Sequence, residues 1–445
     1  MGNRLVEQLS KKFKKRKVLI VGLGLQGGGV GMVKFFSNLG AIVKVTDLKT
    51  KEELSSSVDQ IKDFNVSFTL GKHELNDFLN TDYIFKGPSM PWTHEYLIKA
   101  QEKGIPIDME VAFTYAHLNC KTIGITGTRG KTTTTEMIYK LLLKTGKKVY
   151  KAGNLTGQST IDLLNKVSSN DIVILELSSW SLSGFHKKKL SPNIAVFTNF
   201  YPDHLNYYSN MEEYFYDKKA IYLYQWEKDI CFINKSIEQK IDTSEIKSNI
   251  VYFDKNDFQG KPEFLRGDHN LENAAVATLV AKEFGLSDTA IISILKSFKP
   301  AICRQEIIKT IDKITVVNDS TSTTPTSTIK AIETFKDKPI ILILGGNSKN
   351  LPVKKLTGKL SNVEFIVLIK GGFTDEIYKE LISKYHNKIS PVFEKLEDAT
   401  IFAFDKAKAL KKDCYLLFSP GATSFAMFKN EFDRGEQFNK YVKNI

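Results

Sequence analysis

Cysteine pairs and long apolar runs are missing from this 445-residue sequence. Its four cysteines lie far apart with no Cys-x-x-Cys pair, which argues against a disulfide framework or a zinc knuckle. No apolar run approaches the roughly 18 residues of a membrane span, and the N-terminal residues lack the apolar core of a signal peptide. We therefore expect a soluble cytoplasmic protein with no membrane insertion.

Acidic residues are outnumbered: 50 Asp and Glu stand against 63 Lys and Arg, for a net charge of +13. This excess favours anionic partners such as nucleotides. The basic residues are spread along the chain apart from residues 11–17 and 187–189, and neither cluster is interleaved with the aromatics of a single-strand binder. We expect no nucleic-acid partner.

The most informative segment is residues 124–134, Gly-Ile-Thr-Gly-Thr-Arg-Gly-Lys-Thr-Thr-Thr. It joins a predicted strand at 121–125 to a predicted helix at 131–143. A glycine loop in this position lets backbone N–H groups surround a phosphate at the helix N-terminus. Lys131 would add a charge near the terminal phosphates and Thr132 a hydroxyl ligand for Mg²⁺. The segment predicts an ATP site.

The match to the common phosphate-loop pattern is incomplete. That pattern requires glycine at position 125, where this chain has isoleucine, so that only G-x-x-G-K-T from Gly127 to Thr132 remains. A motif this short also fits an ordinary strand-to-helix turn. A nucleotide-dependent switch without enzymatic activity therefore stays open as an alternative.

The N-terminal segment carries a second nucleotide motif. Strand 17–21 leads into Gly22-Leu-Gly-Leu-Gln-Gly27, which satisfies G-x-G-x-x-G, and the next strand ends at Asp47, where an acidic residue would meet a ribose. Alone, this Rossmann-type opening favours NAD or FAD, and a dehydrogenase remains an alternative. The phosphate loop a hundred residues later favours a different nucleotide-like ligand here.

Two further polar residues follow strands of the central segment. Glu176 ends the apolar strand 171–176, and His204 follows the strand 194–198. We expect both on the sheet edge that carries Lys131, because open α/β sheets bind ligands at the carboxyl ends of their strands. A carboxylate and an imidazole there can hold Mg²⁺ directly or through water. Singly, each also fits a helix cap or an ordinary polar contact.

Apolar runs at 314–318, 339–344, 364–369 and 414–418 alternate with helical segments, which predicts another doubly wound sheet. The predicted fold class is α/β with three domains, in line with about 150 residues per domain. These are a Rossmann-like domain at 1–112, a central ATP-binding mononucleotide-fold domain at 113–300 and a doubly wound Rossmann-like C-terminal domain at 301–445.

Nine short motifs then follow one another along almost the whole chain. They are 127–132, Gly153-Asn154, 176–179, 199–204, 267–274, Arg304, 318–320, 344–346 and 419–424. In this order they resemble the Mur ligases, ATP-dependent amide-forming enzymes of peptidoglycan precursor synthesis that are related to folylpolyglutamate synthetase.

The resemblance implies a ligase that activates a carboxylate of its substrate as an acyl phosphate. Its substrates would be UDP-N-acetylmuramoyl-L-alanine and D-glutamate, its cofactors ATP and two Mg²⁺ ions, and its state a monomer. A sister ligase for L-glutamate or another amino acid, or an enzyme similar to folylpolyglutamate synthetase, remains an alternative.

The resemblance also implies roles for particular residues. ATP would be bound by Gly127, Thr128, Arg129, Gly130, Lys131, Thr132, Thr133, Asn273, Arg304 and Asp319. The UDP substrate would be bound by Gly24, Leu25, Gln26, Asp47 and Asn154, and the amino acid by Thr323, Lys349, Ser424 and Phe425. Mg²⁺ would be held by Thr132, Glu176, His204 and a carbamylated Lys218. The residues with catalytic roles would be Lys131, Glu176, His204 and Lys218.

Lys218 matches the lysine that is carbamylated in this family. A carbamate makes chemical sense because it would turn a repelling ammonium into an oxygen ligand for a second Mg²⁺. The adjacent Lys219 is a rival, although the spacing from Tyr214 favours Lys218. The amino-acid specificity is open, because Glu431 stands where other members have an aromatic residue and would repel a dicarboxylate acceptor.

Overall fold

The computed structural model describes residues 2–155, 157–205, 207–264, 266–299, 302–424 and 427–444. It divides into two compact units. The first comprises residues 1–199, 214–254 and 276–288, and the second comprises residues 200–213, 255–275 and 289–445. Within the described ranges, no helix combines the length and the apolar character needed to cross a membrane.

The first unit begins with a five-stranded parallel sheet. Its strands are β1 (Lys17–Val21), β2 (Ile42–Asp47), β3 (Val66–Leu70), β4 (Tyr83–Lys86) and β5 (Ile107–Asp108), in the order β3-β2-β1-β4-β5. Its helices are α1 (Gly2–Phe13), α2 (Gly28–Asn38), α3 (Ser55–Val58), α4 (Leu75–Leu79), α5 (Glu95–Glu102) and α6 (Glu110–Ala116). The apolar run Lys17-Val-Leu-Ile-Val21 forms the central strand β1. Helices cover both faces of a parallel sheet, so a central strand is buried on both sides and needs apolar residues at successive positions.

A second sheet of the same unit has six parallel strands. They are β6 (Lys121–Thr126), β7 (Val149–Gly153), β8 (Ile172–Glu176), β9 (Ile194–Phe197), β10 (Ile230–Asn234) and β11 (Asn249–Phe253), in the order β11-β10-β9-β6-β8-β7. The helices of this stretch of chain and the next are α7 (Lys131–Leu142), α8 (Ser179–Lys188), α9 (Met211–Lys219), α10 (Asp268–Lys282) and α11 (Asp288–Lys296). The phosphate-loop motif lies between β6 and α7, as predicted.

The two sheets of the first unit meet through α2 and α6. Helix α2 packs so closely on the segment after β7 that a Cβ atom at Gly31 would lie 2.1 Å from Ser159. The Glu110 carboxylate accepts hydrogen bonds from the Ser159 hydroxyl at 2.5 Å and from the Ile161 amide at 3.1 Å. Burial raises the pKa of Glu110 above its ordinary value, while these donors oppose the rise. The junction is therefore a packed polar contact.

The second unit contains the third sheet. Its strands are β12 (Glu306–Ile311), β13 (Ile314–Asn318), β14 (Ile340–Gly345), β15 (Phe365–Ile369), β16 (Ile389–Phe393) and β17 (Cys414–Phe418), in the order β12-β13-β17-β14-β15-β16. Its helices are α12 (Pro325–Thr334), α13 (Lys354–Lys359), α14 (Gly372–Tyr385), α15 (Leu396–Ala409) and α16 (Glu431–Lys443). Apolar clusters cover both faces of this sheet.

Three sheets of mostly parallel strands with helices confirm the predicted α/β fold class. The antiparallel hairpin of β12 and β13 was not predicted, since the expected alternation began at residue 314. The domain boundaries at residues 112 and 300 stay predictions, and Pro300 lies outside the described residues.

Candidate active site

The phosphate loop has a backbone that only glycine tolerates well at two positions. Gly127 has φ 142° and Gly130, which precedes α7, has φ 84°. A Cβ atom at Gly127 would lie 2.0 Å from the Thr198 hydroxyl oxygen. The loop therefore needs glycine both for its left-handed torsions and for its close approach to Thr198, just after β9.

The chain just after β9 braces this loop. The Asn199 side chain accepts a hydrogen bond from the Arg129 amide at 2.8 Å and donates one to the Arg129 carbonyl at 3.1 Å. The Thr128 amide donates to the Asn199 carbonyl at 3.0 Å, and the Thr198 hydroxyl donates to the Arg129 carbonyl at 2.6 Å. Four hydrogen bonds therefore hold the shape of the loop.

Lys131 opens α7 and turns back over the loop. Its ammonium donates to the Gly127 carbonyl at 2.9 Å and to the Thr128 carbonyl at 3.1 Å. Thr132 is half-buried and Thr133 is buried in the same first turn. A cation and the positive end of a twelve-residue helix thus meet at one glycine loop, the arrangement that binds phosphate groups.

Glu176 lies at the carboxyl end of β8, and its side chain is only 2% exposed. Its Oε1 accepts a hydrogen bond from the exposed Asn154 side chain at 3.3 Å. Within the described part of the chain, no hydrogen-bond partner reaches its buried Oε2. An anionic oxygen left without a partner in a buried position fits a cation ligand.

Lys218 on α9 is buried and faces the phosphate loop. Its ammonium donates to the Gly127 carbonyl at 3.0 Å and to the Thr126 hydroxyl at 3.4 Å, and it lies 4.8 Å from the centre of the Tyr214 ring. The adjacent Lys219 instead forms an ion pair with Glu245. The register chosen from the sequence therefore brings Lys218, and not Lys219, to the loop.

The glycine loop after β1 is organised by Asp47. One carboxylate oxygen accepts the Gly24 amide at 3.1 Å and the other accepts the Lys49 amide at 2.9 Å. The Gly24 carbonyl accepts the Ser57 hydroxyl at 2.7 Å. Leu25 and Gln26 are exposed at the tip of the loop. In this structure Asp47 shapes the loop through two backbone amides.

In the second unit, a group around Asp203 contains three predicted residues, Lys349, Thr323 and His204. The Lys349 ammonium lies 3.4 Å from the Asp203 carboxylate and 3.4 Å from the Thr323 hydroxyl. His204 has φ 56°, and its imidazole Nε2 lies 3.7 Å from the other Asp203 oxygen. Asp203, only 3% exposed at its side chain, was not singled out from the sequence, although it immediately precedes His204.

Two other predicted amino-acid ligands lie near the C-terminus. The Ser424 hydroxyl is buried, and none of the residues that the structure describes offers it a hydrogen bond. Phe425 lies outside the described residues. A buried hydroxyl without a partner has room for a ligand bond.

Three predicted ATP-binding residues, Asn273, Arg304 and Asp319, also belong to the second unit. Asp319 follows β13, and its carboxylate accepts the Ser322 hydroxyl at 2.5 Å and the Ser419 hydroxyl at 2.8 Å. Burial raises the pKa of Asp319 to about 6, although these hydrogen bonds and the Arg304 charge oppose the rise. Asn273 is buried on α10, with its amide 3.4 Å from the Asn270 side-chain oxygen.

Arg434 is a buried cation, and no role in stabilising the fold was predicted for it from the sequence. Its guanidinium donates to the Ser320 carbonyl at 2.7 Å, the Ser320 hydroxyl at 3.1 Å and the Ala422 carbonyl at 3.1 Å. Burial lowers its pKa to about 10, and Glu431 and Asp319 oppose the fall. The Glu431 charge thus has a cation nearby.

Comparison with known proteins places these features in a family context. The model described as "Mur ligase MurD-like, N-terminal domain" matches residues 16–108, and the model described as "Mur ligase middle domain" matches residues 125–264. Together they take in the glycine loop after β1 and the phosphate loop.

Curated relatives match along the whole chain. The UDP-N-acetylmuramoylalanine–D-glutamate ligase of Roseiflexus sp. (strain RS-1) is 33% identical, over 97% of this chain and 99% of its own length. The ligase of the same name from Clostridium tetani is 32% identical, over the full length of both chains.

Solved structures share the fold at lower identity. UDP-N-acetylmuramate-alanine ligase MurC from Thermotoga maritima has a TM-score of 0.60 at 16% identity, covering 96% of this chain and 99% of its own. MurF from Acinetobacter baumannii has a TM-score of 0.61 at 14% identity, covering 99% and 98%.

Proposed function

This chain belongs to the Mur ligase family, and from that premise we propose that it joins D-glutamate to UDP-N-acetylmuramoyl-L-alanine with the use of ATP. As a family member it is an ATP-dependent amide-forming ligase of peptidoglycan precursor synthesis. One observation carries the choice of amino acid: relatives that match over almost the entire chain are named for D-glutamate. We also propose a cytoplasmic location and a monomer.

The chemistry needs one phosphoryl transfer and one acyl transfer. The substrate carboxylate attacks the γ-phosphorus of ATP and releases ADP, giving an acyl phosphate. The amino group of glutamate then attacks the acyl carbon, loses a proton and expels phosphate. Lys131 and the loop amides would stabilise the charge on the transferred phosphoryl group, because donors fixed in advance need no reorganisation during the reaction.

Bound Mg²⁺ would neutralise phosphate charge and align the phosphoryl group. We assign Thr132 and Glu176 as its ligands, supported by the unpartnered Glu176 oxygen. His204 keeps the metal role that the family resemblance implies. No cluster of three or more acidic, His or Cys side chains suited to a metal occurs among the described residues. Mg²⁺ commonly uses one or two protein carboxylates together with phosphates and water, so such a cluster is not required.

Lys218 is assigned to carbamylation. The proposal is supported by the burial of its amine beside the phosphate loop and by the separate ion pair of Lys219. Carbamylation would exchange the ammonium for an anionic oxygen that can serve a second Mg²⁺.

Lys349 and Thr323 are assigned to the glutamate carboxylates. An ammonium with a nearby hydroxyl is a suitable receptor for a carboxylate, and the two groups already lie 3.4 Å apart. Ser424 would add its unpartnered hydroxyl. The proximity of Arg434 to Glu431 weakens the objection that Glu431 repels a dicarboxylate.

The decisive experiment is an amino-acid panel with UDP-N-acetylmuramoyl-L-alanine, ATP and Mg²⁺, read as phosphate release and as product mass. We expect D-glutamate to give the highest kcat/KM. The Lys349→Ala variant should raise the KM for D-glutamate more than it lowers kcat, as expected for a group that binds ground and transition states alike. The Lys354→Ala variant, at an exposed position on α13, is the matched control.

Several outcomes would contradict the assignment at different levels. A preference for L-glutamate or another amino acid would keep the ligase class and overturn the acceptor. The absence of phosphate release with every amino acid would overturn the ligase itself. Reduced-cofactor absorbance on mixing with NAD would favour a dehydrogenase instead.

A further inference from the structure

Lys86 ends β4 at the point where the first sheet reverses its strand order. In the order β3-β2-β1-β4-β5 the reversal falls between β1 and β4, and ligands of open α/β sheets bind in the crevice at such a point. Val21, the last residue of β1, is the strand neighbour of Lys86. The glycine loop at 22–27 therefore begins beside this lysine.

The chain after Lys86 lies against that glycine loop. The Gly87 amide donates to the Val21 carbonyl at 2.7 Å, and a Cβ atom at Gly22 would lie 3.8 Å from the Gly87 Cα. Pro88 and Ser89 are exposed at the tip of the segment, whereas Gly87 and Met90 are buried. Segment 87–92 therefore lies beside the glycine loop at the switch point, where a ligand crevice is expected.

Lys86 is 1% exposed, which is unusual for a lysine. Its ammonium donates to the Gly87 carbonyl at 3.2 Å and to the Met90 carbonyl at 2.9 Å, and it lies 4.7 Å from the centre of the Trp92 ring. Burial lowers its pKa to about 8, and the Asp217 charge opposes the fall. A buried charge costs stability unless it is well paired, so an apolar side chain would fill this space more favourably.

The far end of the segment is fastened to α8. The Trp92 indole N–H donates to the Ser183 hydroxyl at 2.9 Å, and the Lys187 ammonium lies 5.3 Å from the centre of the Trp92 ring. Segment 87–92 is therefore held at its start by Lys86 and at its end by α8. A short segment held at both ends is ordered before a ligand binds, which reduces the entropy lost on binding.

The geometry points to Lys86 as a positioning residue for the nucleotide half of the substrate: its ammonium draws in the Gly87 and Met90 carbonyls and so holds segment 87–92 as a wall of the nucleotide crevice. This inference rests on the proposed function, because it takes the substrate to be a nucleoside diphosphate derivative. It assigns Lys86 no contact with the ligand and no part in the bond-forming steps.

The test compares Lys86→Met, Lys86→Arg and Lys187→Met in the full-length chain. Methionine keeps most of the side-chain volume and removes the ammonium, whereas arginine keeps a cation that can reach both carbonyls. Lys187→Met removes the other cation near Trp92 and leaves both carbonyl hydrogen bonds in place. Calorimetric titration with UDP-N-acetylmuramoyl-L-alanine, and separately with UDP, measures affinity without ATP or an amino acid.

We expect Lys86→Met to weaken both ligands at least tenfold and to raise the KM for the UDP substrate by a similar factor. Its kcat and its KM for ATP should stay within twofold of wild type, as should all values for Lys187→Met. Lys86→Arg should recover most of the affinity. A residue that only stabilises the core would lower the melting temperature without this selective change in KM.

Unchanged affinity in a folded Lys86→Met variant would overturn the inference. Should that variant fail to fold, Trp92→Phe decides, because it removes the hydrogen bond to Ser183 and keeps an aromatic ring. Weaker binding of both ligands by Trp92→Phe would support the inference, and wild-type affinity would overturn it. If wild-type protein binds neither ligand, the proposed function fails as well, and the Lys86 inference falls with its premise.

Discussion

The contact between α2 and Ser159 predicts that Gly31→Ala will destabilise the first unit. An alanine Cβ at this position would lie 2.1 Å from both the Cβ and the hydroxyl oxygen of Ser159, well inside van der Waals contact. Ser159 cannot simply turn away, because its hydroxyl donates to the Glu110 carboxylate at 2.5 Å. Either the helix or the segment that carries Ser159 must move.

The magnitude follows from three terms. Overpacking a close contact costs about 1–3 kcal/mol, and loss of a hydrogen bond to a charged group costs about 1.5–3 kcal/mol. Alanine gains back about 1 kcal/mol through its higher helix propensity at this interior position of α2. The net expected loss is roughly 1.5–5 kcal/mol of unfolding free energy, a large share of typical domain stability.

A double-mutant cycle with Ser159→Gly tests the cause. Removing the Ser159 side chain leaves its Cα, 3.6 Å from the new Cβ, as the nearest atom, and that is an ordinary contact distance. Gly31→Ala should then be neutral or slightly stabilising in the Ser159→Gly background. Urea unfolding followed by circular dichroism measures all four proteins, and the two substitutions must couple by more than about 1 kcal/mol. An equal cost of Gly31→Ala in both backgrounds would refute the steric explanation.

Three further outcomes are expected. Lys131→Ala should abolish phosphate release and keep a cooperative thermal transition, because it removes the Lys131 ammonium from the phosphate loop and leaves the backbone unchanged. Lys140→Ala on the same helix is the control, and near-normal turnover of Lys131→Ala would contradict the loop assignment. Lys218→Ala should lose most activity and regain part of it with added short carboxylates, which can supply an oxygen to Mg²⁺; rescue of Lys219→Ala instead would show an error of one residue. Because burial raises the pKa of Asp319 to about 6, the folded chain holds a proton that the unfolded chain releases between about pH 4 and 6. The contribution of Asp319 to wild-type stability should therefore fall as pH rises through that window, and Asp319→Asn, compared by urea unfolding at pH 4 and 6.5, should lack this part of the slope.

Much of the candidate site could be predicted because strand ends are easy to locate. The apolar runs that became β6 and β8 are bounded clearly, and parallel strands bring their carboxyl ends to one edge. The structure therefore places Lys131 and Glu176 where the sequence predicted them, at the start of α7 and at the end of β8, and their roles stay predictions. The phosphate loop needed no family knowledge for its strand, its turn or its helix.

Buried charges escaped prediction because a sequence gives residue type without burial. Lys86 ends the run Tyr83-Ile-Phe-Lys86 and looks like an ordinary solvent-facing strand end, yet it is enclosed by two carbonyls and an indole. Asp203 was passed over for the adjacent histidine, although it is the carboxylate that pairs with Lys349. Lys349 is distant in the sequence from Asp203, whereas Lys86 is enclosed by the segment that directly follows it. In both cases residue type alone does not show the burial.

Asp47 and Glu176 show where prediction from strand ends stops. Both are acidic residues that end a strand, and both were predicted to meet a ligand. The two Asp47 oxygens accept the amides of Gly24 and Lys49, so this carboxylate shapes its loop, and its contact with a ligand stays a prediction. Glu176 keeps a buried oxygen for which the described residues provide no donor, and a buried anionic oxygen is costly unless a cation or donor satisfies it. Hydrogen-bond satisfaction therefore separates the two: we propose Glu176 as a cation ligand, whereas the contacts of Asp47 in this structure shape the glycine loop.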